Sequence, residues 1–120
     1  MAEGLAKHLM PTFEFSSAGI SPESYVSPYS VRVMEQRNID ISKHTPRHID
    51  AFLDDSISMI VCFGKKAYDY CLQNFDNTHI MFYDITDPWG SVGTDEQIIE
   101  IYNNTCKAIE KIIESICLKY

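Results

Sequence analysis

Four cysteines, four histidines and one Asp-Pro-Trp-Gly stretch are the side chains of this sequence best suited to chemistry. Cys62, Cys71, Cys106 and Cys117 make no Cys-x-x-Cys pair and no compact disulfide framework, so free thiols in a reducing cytoplasm are the expected state. His8, His48 and His79 lie at no metal-ligand spacing, and neither a metal nor another cofactor is expected. Asp87, Pro88, Trp89 and Gly90 read on their own as a turn carrying a half-buried tryptophan. Pro88 restrains Asp87 to extended geometry.

Charge narrows the range of partners. The net charge is −7, from 10 basic and 17 acidic side chains, and the longest basic run is Lys65-Lys66. A nucleic-acid backbone needs concentrated positive charge, so nucleic acid is excluded as a partner. No run reaches the ~18 apolar residues of a membrane span, and the N-terminus lacks the apolar region of a signal peptide. No membrane partner is expected. A chain of 120 residues is read as a single domain spanning residues 1–120.

The elements that must position these side chains alternate in type. "MAEGLAKHLM" reads as an amphipathic helix with Ala2, Leu5 and Leu9 near one face, yet neither a cap nor a strand precedes it. "TFEFS" at 12–16 predicts a short strand, and a Ser, Gly and Pro-rich loop follows. Ser27 before Pro28 opens a helix, which Asn38 can end in the left-handed conformation. "SISMIVCF" at 56–63 and "HIMFYDI" at 79–85 read as buried strands on either side of a helix over 64–75. Thr94 and Gln97 fit a capping box that starts a long helix. Its stripe of Ile98, Ile101, Tyr102, Ile109, Ile112, Ile113 and Ile116 reads as core. The alternation indicates an α/β domain with a parallel sheet.

Five segments, taken in order, resemble one family. "MAEGLAKHL", "FSSAGISP", "VRVMEQRNIDISKHTPRHI", "SMIVC" and "DITDPWGSVGTDEQ" run nearly end to end. They are similar to the low-molecular-weight protein tyrosine phosphatases and the related arsenate reductases. The resemblance implies a three-layer α/β fold with a parallel sheet in the family order 2-1-3-4. It implies phosphomonoester hydrolysis through phosphocysteine, on a phosphorylated protein or a small phosphomonoester. Asp87 matches the family's general-acid aspartate, and Trp89 stands where members place an aromatic wall beside the substrate. Ser17 and His44 match the serine and histidine that support the catalytic loop. Arg47 lies in a matching segment and is expected to be structural. Arsenate reductases of this fold pass a disulfide through two further cysteines. Cys62 and Cys71 lie in that region, nine positions apart, and also read as buried inert thiols.

The departure from the family is sharp. Its catalytic loop carries a nucleophilic cysteine with an arginine six positions on, and a buried strand leads into it. Here the residues six positions after Cys62, Cys71 and Cys106 are Tyr68, Asn77 and Ile112, and nothing lies that far beyond Cys117. The chemistry needs a thiolate of lowered pKa and an arginine fork around the phosphoryl oxygens. An inactive chain is therefore expected, with strand 1 missing from the sheet. Such a strand supplies roughly four buried apolar side chains at about 1.5–3 kcal/mol each, comparable to the ~5–15 kcal/mol net stability of a domain. Three outcomes are anticipated. "TFEFS" shifts over to pair with "SISMIVCF"; a strand from another chain fills the gap, as in a homodimer through exposed sheet edges; or the sequence is an N-terminally truncated version of a normal enzyme. A non-catalytic binding or assembly module and an arsenate reductase-related protein are the alternative functions.

Overall fold

The computed structural model describes all residues, 1–120. Its elements in chain order are α1 (Ala2–Leu9), α2 (Pro28–Glu35), β1 (Met59–Cys62), α3 (Lys65–Asn74), β2 (His79–Phe82) and α4 (Asp95–Cys117), with a single 3-10 turn at Ile49–Phe52. The fold is α/β. β1 and β2 run parallel, with Met59 opposite His79 and Cys62 opposite Phe82. α3 forms the crossover between them, as a parallel pair requires.

Side-chain alternation along the strands builds three layers. Met59 and Val61 of β1 and Met81 of β2 face the larger core, made by α1, α2 and α4. Ile60, Cys62 and Ile80 face the opposite way, onto Cys71 and Phe75 of α3. The main core is centred on Leu5, Val33, Met34 and Cys106, the last three fully enclosed. Only 17 of the 120 residues are buried, which reflects a sheet of two strands between these helical layers.

Local signals set the helix ends. Thr94 and Gln97 make the reciprocal capping box at the start of α4. Asn38 takes φ of 60°, and the Ile39 N–H reaches back to the Met34 carbonyl at 3.1 Å, which closes the turn after α2. α1 has no side-chain cap. It lies so close to the 39–41 segment that a Cβ on Gly4 would come within 2.9 Å of Ile41 Cγ2.

Three sequence expectations are corrected. Residues 12–16 form no strand and do not pair with β1; Phe13 is 51% exposed, its ring tilted 46° to that of Phe15 at 6.3 Å. Alternating phenylalanines cannot make a strand without a ladder partner, and the nearest pairing is an isolated parallel bridge between Gly19 and His48. β2 is not buried throughout, because it is a sheet edge: His79 and Phe82 are exposed. Ile101, read as part of the core stripe of the long helix, is 40% exposed.

Candidate functional site

The polar centre of the molecule lies on the first turn of α1. Glu3 Oε1 accepts a hydrogen bond from Ser17 Oγ at 2.9 Å. Glu3 Oε2 accepts from Lys7 Nζ at 3.0 Å and stands 3.6 Å from His44 Nδ1. The ring is closed by Ser17 Oγ and His44 Nε2, 3.3 Å apart. Partial burial of Glu3 opposes its ionisation, yet Lys7 and Ser17, with the His44 ring behind them, hold its carboxyl below the usual value of 4.5. A carboxylate in the first turn of a helix is also favoured by the helix dipole.

Ser17 and His44, matched to the family as a supporting pair, are thus brought together. The acid that unites them, Glu3, escaped the sequence reading. Its partners are 14 and 41 positions away, so no local spacing announces it. The only sequence signal was an acidic residue in a helical first turn.

Asp87 lies on a separate exposed turn. Its Oδ1 accepts from the Trp89 N–H at 2.9 Å, and Gly90 follows with φ of 81°. Ser91 N–H then bonds the Pro88 carbonyl at 3.1 Å. This is an Asx turn, the reading that the residues alone supported. Trp89 is half-buried and meets Tyr25 edge to face, with ring centroids 5.5 Å apart. No hydrogen bond joins Asp87 to the Glu3–Ser17–His44 group. The connection runs through Trp89 and Tyr25, since Tyr25 and His44 line the same groove. Tyr25 is the second residue that sequence reasoning missed.

None of the four thiols sits at a helix N-terminus. Cys62 ends β1, Cys71 lies within α3, and both are buried in the smaller core with Phe75. Burial pushes the Cys62 thiol up to about 12, the neighbouring Cys71 adding to the effect, and burial also raises Cys71. Cys106 is enclosed in the main core with its Sγ 3.7 Å from Met34 Sδ, and burial raises it as well. Cys117 is partly buried near the end of α4. All four are free. Arg47 stacks over the Phe52 ring at 4.8 Å, and His48 Nδ1 accepts the Asp50 N–H at 3.0 Å to cap the 3-10 turn. No group of three or more His, Cys, Asp or Glu side chains converges as a metal site, and no helix is long and apolar enough to cross a membrane.

The parallel α/β core with its helical layers is the fold of the low-molecular-weight phosphatase class. The chain belongs to that family: the model for low molecular weight phosphotyrosine protein phosphatase matches residues 1–119. Solved structures share its fold. Vibrio vulnificus Wzb, in complex with benzylphosphonate, superposes with a TM-score of 0.82 at 16% identity, over 99% of this chain and 88% of that one. A low molecular weight protein tyrosine phosphatase from T. tengcongensis gives 0.81 at 19%, over 99% and 88%. An arsenate reductase in the reduced state gives 0.76 at 24%, over 98% and 86%. No curated protein matches the chain significantly.

Proposed function

We propose that this chain is a phosphatase-family protein, derived from a phosphomonoester hydrolase working through phosphocysteine, which as this polypeptide does not turn over phosphate esters. The observation that carries the proposal is the cysteine inventory: no cysteine is followed six positions on by arginine. The thiol environments support it. A phosphate-attacking cysteine needs its pKa lowered beside positive charge or a helix N-terminus. Cys62, Cys71 and Cys106 are shifted the other way by burial. Asp87 then keeps the position of a general acid with no nucleophile to serve. Trp89 remains as a wall, and Ser17 and His44 brace Glu3 where the family's pair braces the catalytic loop. The 120 residues are read as one phosphatase-like unit, and four free thiols suit a reducing compartment such as the cytoplasm. The ligand class it inherits is a phosphorylated protein or a small phosphomonoester.

Iodoacetamide labelling near neutral pH tests this reading. The native chain is expected to label slowly at the buried Cys62, Cys71 and Cys106 and fast there only in denaturant. One thiol that reacts at once in the native state and is protected by phosphate contradicts it.

Two observations favour other roles for the same chain. The bare edge of β1 supports a non-catalytic assembly module, in which a second copy or a partner strand pairs with it. Sedimentation giving a stable monomer at all concentrations counts against that role. The shared small core of Cys62 and Cys71 supports an arsenate reductase-related protein. Failure to trap a Cys62–Cys71 disulfide after mild oxidation removes it.

A further inference from the structure

A groove of about 550 Å³ runs between α2 and the 42–45 turn. Its lining includes Arg32, Lys43 and His44 together with the hydroxyls of Ser24 and Ser42, and no carboxylate lines it. That is unexpected on a chain of net charge −7.

Neither Arg32 nor Lys43 is held in an ion pair, unlike Lys7, Arg37 and Lys65. In the turn after α2, Arg37 is fully committed: it bonds the Val33 carbonyl and Asn103 and pairs with Glu110 at 3.4 Å. Arg32, five positions earlier and exposed, has no ion-pair partner. Lys7 and Lys65 each pair with an acid four positions away, at 3.0 and 2.8 Å. Lys43 is exposed and pairs with none; Asp40 feels its charge but directs its carboxylate to the Ser42 N–H at 2.8 Å.

We propose that this groove docks an acidic peptide segment of a partner protein. Arg32 offers a planar fork matched to a carboxylate, and Lys43 supplies a compact charge from the opposite wall. The hydroxyls between them can accept or donate to peptide groups. Because the cations stand on separate elements along an open groove, they suit successive side chains of an extended segment better than one compact anion. Two unpaired cations are too few for a nucleic-acid backbone, which draws on a continuous basic stripe. On a chain of net charge −7, a groove lined by cations and by no carboxylate offers an acidic partner attraction in place of repulsion. Tyr25, packed against Trp89, forms one end of the groove and gives the segment an aromatic contact. The inference concerns binding only and holds whether or not the chain hydrolyses phosphate.

The test is fluorescence anisotropy of a labelled hexapeptide of glutamate and glycine, titrated with the full chain. Binding is expected at about 20 mM salt, weakening about tenfold as salt is raised to about 0.3 M. Arg32→Glu with Lys43→Glu is expected to weaken it at least about tenfold. The milder Arg32→Gln with Lys43→Gln, with unchanged circular dichroism, is expected to give a several-fold loss. Lys107→Glu with Lys111→Glu on α4 makes the same change in net charge and is expected to leave binding unchanged. An equal loss in the α4 pair, no binding by the unsubstituted chain, or equally tight binding of inorganic phosphate or an oligonucleotide overturns the proposal.

Discussion

Ser17 Oγ donates to Glu3 Oε1 at 2.9 Å, joining the loop after the first helix to that helix's opening turn. The bond orients Glu3 toward His44 and Lys7, so four side chains hold each other where α1 begins. Ser17→Ala leaves that carboxylate with one donor fewer. A loss of about 1 kcal/mol in urea unfolding is expected, and Ser17→Thr is expected to recover part of it.

The same cluster fixes a pH dependence. Glu3 ionises below the usual 4.5 in the folded chain. Its contribution is therefore fully present above that value and is lost as the pH falls through the lowered folded value. Thermal melts of the unsubstituted chain and Glu3→Gln are expected to differ most above pH 4.5 and to converge in more acidic buffer. A gap that stays constant with pH removes Glu3 from this role.

Trp89 is the only tryptophan in the chain, so all tryptophan fluorescence comes from the residue that meets Tyr25. Tyr25→Ala removes the edge-to-face neighbour and is expected to shift the emission to the red. Tyr25→Phe keeps the ring and is expected to leave the spectrum in place.

Gly4 sits inside a helix, where alanine is ordinarily better by about 1 kcal/mol. Here the added methyl meets Ile41 Cγ2 at 2.9 Å and Met34 Cε at 3.0 Å. Gly4→Ala is expected to destabilise the chain by about 1–3 kcal/mol through overpacking. A stabilised variant means that α1 lies farther from the 39–41 segment than described.

These cases show what the sequence carries. The Thr94–Gln97 box, the turn at Asn38 and the helix after Ser27-Pro28 were legible because each is decided within a few residues. The parallel sheet was legible from two apolar runs flanking a helical pattern. "TFEFS" was misread because a strand is defined by its neighbour, and alternation at Phe13 and Phe15 says nothing about whether one is there. Glu3 and Tyr25 were missed for a related reason. The first is joined to residues far along the chain, and the second meets Trp89, 64 positions on, and shares a groove with His44. The Asp87 turn was legible in form, since Asp-Pro-Trp-Gly dictates it locally. Its part in a site rests on the family likeness rather than on any contact it makes.

Hydrolysis of an aryl phosphate by the purified 120-residue chain reaches the matter most directly. The rate is expected to equal the buffer blank from about pH 5 to about pH 7, the range in which a thiolate paired with an acid would work. Turnover above the blank that disappears in Asp87→Asn would establish a working nucleophile and contradict the proposal.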